Sequence, residues 1–209
     1  MMKLQLALDR LSWDRCFQLT EDVQESIDII EIGTGVIKEY GMAIVREMRK
    51  RYPHHIILAD MKICDAGKHE AAQAFEAGAD IATVMAFAPQ ATIIETLETA
   101  RSLQKEMMVD LLGVTEPQLV QELVQLGVTF VGLHLGKDQQ KQQQIGSELF
   151  DLVEGLSVRT AVAGGVTLKS LPDIIAYQPN VIIVGSGLTK AEDPHTMAKQ
   201  FKEEITRNV

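Results

Sequence analysis

Eight short apolar runs, spread evenly along the chain, constrain its fold more than any other feature. Each run is rich in β-branched residues and is bounded by polar or turn-forming residues, which is typical of a buried strand. The runs are continuously apolar, so both faces of each predicted strand are expected to be covered. They span residues 4–8, 27–32, 56–61, 81–86, 107–112, 128–134, 158–163 and 181–184.

Segments with helical spacing separate these runs, and several of them open on Asp, Thr or Pro. They span residues 13–23, 36–48, 69–77, 91–103, 117–126, 139–153, 168–177 and 194–205. Strands that alternate with helices predict a parallel sheet. Eight such units in 209 residues average about 26 residues each, which fits an α/β fold of the closed (β/α)8 TIM-barrel type better than an open doubly wound sheet. No linker-like segment interrupts the pattern, so we predict a single domain over residues 1–209.

Composition and charge exclude several classes of protein. Hydrophobic residues make up 46% and charged residues 23% of the chain, which is ordinary for a globular protein and unlike a disordered or membrane chain. Lys and Arg total 20 against 29 Asp and Glu, and the resulting net charge of -9 would repel nucleic acid and anionic lipid. We therefore predict no nucleic-acid and no membrane partner, and we expect any anionic ligand to need a local site.

The two cysteines, Cys16 and Cys64, lie in unrelated contexts. Their spacing predicts neither a disulfide framework nor a structural zinc site, and a cytoplasmic location fits this use of cysteine best.

Ionisable residues follow most of the predicted strands. In a barrel of this type the active site lies at the carboxyl ends of the strands, so these side chains are expected to converge on one rim. A single buried carboxylate is about as often structural as functional. Convergence on one rim favours function. The residues are Asp9, Glu31, Asp60, Lys62, Asp65, Asp110 and His134.

Glu31 and Asp60 end neighbouring strands and are the candidate metal ligands. Two carboxylates with several waters suit Mg²⁺, which prefers hard oxygen ligands. Lys62 follows Asp60 by two residues, so strand periodicity predicts that both lie on one face, where an ammonium and a metal could share the charge of an enediolate. The alternative for Lys62 is a simple ion pair with Asp60.

Asp65 and His134 each allow two interpretations. Asp65 stands just before a predicted helix, where it could either act in catalysis or cap the helix. His134 is the one histidine of the five that closes a predicted strand, which favours proton transfer over a hydrogen-bonded structural role.

Glycine-rich loops follow the last two predicted strands. Gly164 and Gly165 follow the seventh strand, and Gly185, Ser186 and Gly187 follow the eighth. Either loop alone could be a tight turn, but barrels commonly bind phosphate at these two positions through free backbone N–H groups. The pair of loops predicts a small phosphorylated substrate.

Four motifs in this order resemble the orotidine monophosphate decarboxylase superfamily over nearly the whole chain. They are Glu-Ile-Gly-Thr at residues 31–34, Asp-Met-Lys-Ile-Cys-Asp-Ala-Gly at residues 60–67, Ala-Gly-Gly at residues 163–165 and Gly-Ser-Gly at residues 185–187. The first is similar to the magnesium-dependent branch that holds the hexulose-phosphate synthases and the keto-gulonate-phosphate decarboxylases. Asp110 and the segment His-Leu-Gly-Lys-Asp-Gln at residues 134–139 resemble the synthases.

The resemblance implies a role for each candidate residue. Glu31 and Asp60 would bind Mg²⁺, Lys62 would stabilise an enediolate, and His134 would be the acid/base at the sugar's C1. Asp65 would reach the active site of a neighbouring subunit, because the family works as a homodimer. Asp9, Asp110 and Lys137 would contact substrate. The phosphate would lie on Gly164, Gly165, Gly185, Ser186 and Gly187.

The reaction implied is the reversible, aldol-type condensation of formaldehyde with D-ribulose 5-phosphate to D-arabino-3-hexulose 6-phosphate. The nearest alternative is decarboxylation of 3-keto-L-gulonate 6-phosphate, which Lys137 favours because the decarboxylases carry a cationic residue there. A catalytically silent sugar-phosphate-binding barrel would not need Lys62 and His134 together.

Overall fold

The computed structural model describes residues 2–207 and consists of a closed barrel of eight parallel strands. The strands follow one another in sequence order around the barrel, and the last pairs with the first through Lys3–Val181 and Leu6–Val184. They are β1 (Lys3–Leu8), β2 (Ile29–Ile32), β3 (Ile56–Ile63), β4 (Ile81–Met85), β5 (Glu106–Asp110), β6 (Phe130–His134), β7 (Arg159–Ala163) and β8 (Val181–Val184). The predicted (β/α)8 barrel and its eight strands are confirmed.

Helices connect the strands and cover the outside of the barrel. They are α1 (Trp13–Val23), α2 (Thr34–Tyr40), α3 (Met42–Arg51), α4 (Gly67–Glu76), α5 (Gln90–Ser102), α6 (Pro117–Gln125), α7 (Ser147–Asp151), α8 (Leu171–Ile175), α9 (Ser186–Thr189) and α10 (Pro194–Arg207), with a 3₁₀ turn at Gln139–Lys141. Within residues 2–207, none of these helices combines the length and the hydropathy needed to cross a bilayer.

Two of the predicted helices are wrong as continuous elements. The segment 36–48 lies in two helices, α2 and α3, because Gly41 between them has a φ of 60°, which a right-handed helix does not contain. The segment 139–153 is a 3₁₀ turn followed by the short α7, since Gly146 has an extended backbone that starts α7 afresh. The four-residue α9 was not predicted.

Alternate side chains of the strands pack in two separate apolar regions. The larger lies between the strands and the helices and includes Leu4, Leu6, Ile30 and Ile32. The smaller fills the inside of the barrel with side chains from β2 to β8: Ile29, Leu58, Ile81, Met108, Phe130, Ala161, Val181 and Ile183. The barrel is therefore a packed core, and the ionisable strand residues lie at its carboxyl end above this apolar plug.

Candidate active site

The end of β3 is irregular, and this irregularity places Lys62. The pairing of β3 with β4 shifts register between Ala59 and Ile63, and Lys62 has a φ of 50°. The backbone N–H of Lys62 donates a hydrogen bond to Thr83 Oγ1 at 2.9 Å. The regular periodicity that we assumed for residues 60–62 is therefore wrong, although the predicted proximity is confirmed, since Lys62 Nζ lies 3.2 Å from Asp60 Oδ1. A left-handed lysine next to a bulge is a strained conformation of the kind found at functional sites.

Three strands contribute a continuous chain of charged side chains. Lys62 Nζ donates to Asp110 Oδ2 at 2.6 Å, in addition to its contact with Asp60. His134 Nδ1 lies 3.0 Å from Asp110 Oδ2 and 3.1 Å from Oδ1. Because a carboxylate only accepts hydrogen bonds, Nδ1 carries the proton, and Nε2 makes no hydrogen bond with the described residues. Of the seven ionisable residues predicted to converge on one rim, the structure joins four in this chain of contacts: Asp60, Lys62, Asp110 and His134.

The mutual contacts in this chain shift the pKa of each member. Burial alone would raise the pKa of Asp110, but the hydrogen bonds and charges of His134 and Lys62 outweigh it and lower that pKa to about 2. Burial disfavours the charged form of Lys62, yet the carboxylates of Asp60 and Asp110 raise its pKa above the ordinary value. The pKa of His134 is raised in the same way, with burial opposing and Asp110 prevailing. At neutral pH the Asp110–Lys62 pair is therefore ionised.

Glu31 is a buried carboxylate that forms no ion pair within 4 Å among residues 2–207. Its Oε2 accepts a hydrogen bond of 2.6 Å from Gln5 Nε2, and Lys62 is paired with Asp60 and Asp110 instead. Burial, and after it the negative charge of Asp60, raises the pKa of Glu31 to about 8. A bound cation would lower the pKa of Glu31 again, since an opposite charge favours the ionised form.

Glu31 and Asp60 form a donor set that fits Mg²⁺. Among residues 2–207 no group of three or more His, Cys, Asp or Glu side chains could enclose a metal. Mg²⁺ is commonly bound through only one or two carboxylates, with waters and substrate oxygens completing its octahedron. Asp60 is oriented by hydrogen bonds from Thr34 Oγ1 to Oδ2 at 2.6 Å and from Thr83 Oγ1 to Oδ1 at 2.9 Å. The set suits a hard cation that is shared with substrate.

Asp9 and Asp65 lie at the rim but outside this chain of contacts. Asp9 Oδ1 accepts a hydrogen bond from the N–H of Gly35 at 3.1 Å, and its Oδ2 pairs with Arg10 at 3.0 Å. Asp65 is exposed, and its Oδ1 accepts only the N–H of Ala66, at 2.8 Å. The alternative that Asp65 caps the following helix is wrong, because Ala66, in a left-handed conformation, is the N-cap residue of α4 and no side chain caps the helix.

A cavity of about 610 Å³ lies next to the two glycine loops. Its lining includes Gly164, Gly165, Ser186 and the two lysines Lys137 and Lys169. Among residues 2–207 neither lysine has a carboxylate partner within ion-pair distance; Lys137 Nζ donates only to Gln140 Oε1, at 3.3 Å. An anion in this cavity would meet backbone N–H groups and cationic side chains, as a phosphate requires.

Three glycines of the two loops, Gly164, Gly165 and Gly187, have different structural roles. Gly164 has a φ of 130°, and a Cβ there would lie 2.6 Å from Leu135 Cβ, so only glycine fits. Gly165 has a φ of 70° and borders the cavity. A Cβ at Gly187 would lie 2.9 Å from the carbonyl of Val166, so this glycine permits close packing of α9 beneath the loop.

Gln5, Thr34, Thr83 and Lys169 were not among the predicted site residues. Gln5 is the polar residue within the apolar run 4–8, and that break in the pattern was a usable signal. The two threonines carry no such signal, because threonine is common in buried strands and at helix starts for structural reasons. Lys169 lies between α8 and the seventh strand in sequence, and only the folded cavity relates it to the glycine loops.

Comparison with known proteins relates this site to a family. The model of the Orotidine 5'-phosphate decarboxylase / HUMPS family matches residues 2–201. The chain belongs to this family. A 3-hexulose-6-phosphate synthase of Bacillus subtilis (strain 168) is 36% identical over 209 residues, which cover 99% of this chain and 100% of that protein.

Two solved structures of family members have the same fold. The crystal structure of 3-hexulose-6-phosphate synthase from Salmonella typhimurium has a TM-score of 0.97 at 33% identity and covers 100% of both chains. That of 3-keto-L-gulonate-6-phosphate decarboxylase from Vibrio cholerae O1 biovar El Tor str. N16961 has a TM-score of 0.89 at 29% identity and covers 100% of this chain and 99% of its own. Together with the relative from Bacillus, they identify the chain as a lyase-type enzyme.

Proposed function

We propose that the chain is a Mg²⁺-dependent aldol-type lyase that condenses formaldehyde with D-ribulose 5-phosphate, reversibly, to D-arabino-3-hexulose 6-phosphate through an enediolate. The observation that carries this proposal is the contact chain of Asp60, Lys62, Asp110 and His134 beside the Glu31 carboxylate, which forms no ion pair among residues 2–207. Such an arrangement combines a proton-transfer group with positive charge at the place where an oxyanion would develop.

Glu31 and Asp60 would hold the metal, and bound Mg²⁺ would act as a Lewis acid toward the substrate oxygens. Lys62 supplies a second positive charge to the same oxyanion, and its two carboxylate contacts keep it protonated. These contacts also fix the position of Nζ, so little reorganisation is needed when charge develops.

His134 is the proton-transfer residue in this proposal. Asp110 accepts the Nδ1 proton and sets the orientation and tautomer of the ring. Nε2 then removes the proton at the sugar's C1 to form the enediolate, and it returns a proton in the reverse direction. The enediolate carbon attacks formaldehyde, so one carbon–carbon bond forms and the aldehyde oxygen takes up a proton.

The phosphate would bind in the cavity bordered by Gly164, Gly165 and Ser186, with Gly185 and Gly187 shaping the second loop. Lys137 would contact the substrate from the same cavity, and Asp9, which follows the neighbouring strand β1, would hold a hydroxyl group.

Decarboxylation of 3-keto-L-gulonate 6-phosphate is the second candidate. Lys137 favours it, because a cation that lines the cavity could deliver a proton to the enediolate after loss of carbon dioxide. The fold similarity to the Vibrio cholerae decarboxylase supports it as well. Both reactions use the same intermediate, so one protein could catalyse both at unequal rates.

A paired assay separates the two reactions. One reaction contains formaldehyde and ribulose 5-phosphate with Mg²⁺, the other contains 3-keto-L-gulonate 6-phosphate, and each is repeated with EDTA. We expect EDTA-sensitive formaldehyde consumption to be the faster by orders of magnitude, and Glu31→Gln and Asp60→Asn to abolish it while the fold is retained. Full activity in either variant would contradict the proposal, and faster release of carbon dioxide would establish the decarboxylase.

We also propose a cytoplasmic homodimer in which each subunit completes the other's site. Two exposed apolar side chains support the homodimer: Phe87 and Ile94 have 63% and 37% of their surfaces exposed to solvent in the single chain. Ile94 lies in α5, and the carbonyl of Thr92 in the same helix packs against Gly67, the first residue of α4 and two residues after Asp65. A second subunit on this patch would receive the free Asp65 carboxylate.

A further inference from the structure

Gln5 is a fully buried glutamine in the strand that opens the barrel. Its neighbours in β2 and β8 are Ile29 and Ile183, which both belong to the apolar interior of the barrel. None of its surface is exposed. Its Nε2 donates to Glu31 Oε2, while its Oε1 is the single buried side-chain nitrogen or oxygen among residues 2–207 without a hydrogen-bond partner.

Folding alone does not account for a glutamine at this position. A buried carbonyl without a partner costs free energy, and an apolar side chain of similar volume would avoid that cost. The surrounding interior side chains are apolar, so such a residue would suit its neighbours. The unpartnered Oε1 therefore indicates that the function of the Gln5 amide is its hydrogen bond to Glu31.

Gln5 provides the one hydrogen bond that the Glu31 carboxylate receives among residues 2–207. The other predicted metal ligand, Asp60, is held by Thr34, Thr83 and Lys62. Gln5 bonds only Oε2 of Glu31. Glu31 Oε1 accepts no hydrogen bond among residues 2–207 and keeps some solvent-accessible surface. Without the amide, no hydrogen bond from the described residues would fix the Glu31 carboxylate.

We propose that Gln5 is a positioning residue of the cation site, which holds Glu31 by one oxygen and thereby directs the other toward the cation. This inference rests on the proposed function, because it needs Glu31 to be a metal ligand. Gln5 does not contact substrate. Residues that orient a metal ligand in this way commonly contribute 10- to 100-fold to metal affinity.

The test measures binding of Mg²⁺ alone to the metal-free protein by isothermal titration calorimetry. Gln5→Met keeps the volume and removes the donor, and we expect it to weaken Mg²⁺ binding about 10- to 100-fold. Its melting temperature without metal should stay close to that of the parent protein, because the variant loses the unpartnered carbonyl and the hydrogen bond to Glu31 together. Activity should approach the parental value once Mg²⁺ is raised in proportion. Thr96→Val is the matched control, since it removes a buried hydrogen bond to Ile93 away from the site, and its Mg²⁺ affinity should not change.

A second variant keeps the test decisive if Gln5→Met does not fold. Gln5→Asn retains the amide but is one methylene shorter, so it cannot span the same distance to Glu31, and it should show the same loss of affinity. Parental Mg²⁺ affinity in a folded variant would overturn the role of Gln5 and leave the proposed function intact. Absence of saturable Mg²⁺ binding in the parent protein would overturn the metal dependence and this inference together.

Discussion

Thr83 connects the backbone of Lys62 with the side chain of Asp60, although it carries no charge. Its Oγ1 accepts the N–H of Lys62 and donates to Asp60 Oδ1, each at 2.9 Å, and it is fully buried. We expect Thr83→Val, which keeps the shape and removes both bonds, to lower kcat about 10- to 100-fold and to reduce the free energy of unfolding by about 1–3 kcal/mol. Steady-state kinetics and urea unfolding would measure the two effects.

Thr20→Val is the matched control for this variant. Thr20 is equally buried and donates to the carbonyl of Cys16 within α1, away from the site. It should lose stability but keep its kcat. Parental kcat in Thr83→Val would contradict the proposed link between Thr83 and the charged pair.

The ionisable residues of the site could be predicted one by one, but their partners could not. Glu31, Asp110 and His134 interrupt or close apolar runs, and a charge in such a place is rare enough to be noticed. Thr83 and Gln5 act through hydrogen bonds to residues 23 and 26 positions away, and no local pattern encodes such a pairing. The left-handed backbone of Lys62 could not be predicted from the sequence either, because a bulge depends on the register between two strands.

The loop after β7 depends on a glycine that cannot be replaced. We expect Gly164→Ala to reduce the free energy of unfolding by about 2–4 kcal/mol, since it combines an unfavourable φ with overlap against Leu135. It should also raise KM for the phosphorylated substrate, because the loop borders the cavity. Gly155→Ala is the control, with a φ of 71° and nothing within 4 Å, and should cost only about 1–2 kcal/mol. Equal losses of stability in the two variants would contradict the steric explanation for Gly164.

Asp80 links the starts of β3 and β4 to α3. It pairs with Arg49, accepts from Lys105 Nζ at 2.8 Å and accepts the N–H of Ile57 at 3.0 Å. Burial opposes its ionisation, but the hydrogen bonds from Lys105 and Ile57 and the charges of Arg49 and Lys105 hold its pKa below the ordinary value. The stabilisation is therefore complete above the ordinary Asp pKa of about 4 and is lost as the pH falls through the lower pKa of the folded state.

Asp80→Asn should accordingly reduce the free energy of unfolding at pH 7 by about 1 kcal/mol, a small value because the group is partly exposed. The difference from the parent protein should shrink as the pH falls below about 4. Urea unfolding at several pH values would measure it, with Asp151→Asn, an exposed aspartate, as the control. A difference that does not depend on pH would argue against an ionic contribution.

The strands were more predictable than the helices for a physical reason. Most strand residues are buried, so each strand reads as a mainly apolar run, and β8 is apolar and buried over all four of its residues. The helices depend on local interruptions instead: Gly41 separates α2 from α3, and Gly146 delays α7. The brief α9 has too few residues to carry any periodicity.

The proposed homodimer can be tested at the patch around Phe87. Phe87→Lys places a charge in an exposed apolar surface, which association would have to bury. We expect the parent protein to sediment as a dimer and the variant as a monomer with much reduced activity. Leu103→Lys, at the other end of α5 and 44% exposed, is the control and should remain dimeric. If the parent protein and Phe87→Lys sediment alike, the patch around Phe87 is not the subunit interface.

The pairing of β1 with β8 closes the barrel between the two ends of the chain. Gln5 and Glu31 lie near the amino terminus, while Gly185 and Ser186 come directly after β8, so both halves of the site depend on this one seam. A nascent chain that has emerged only as far as β7 already contains the carboxylates and the histidine, yet it has neither the second phosphate loop nor the strand that covers Gln5. A complete site would thus form only late in translation, and if the proposed cation site exists, the onset of Mg²⁺ binding during refolding would report when β1 pairs with β8.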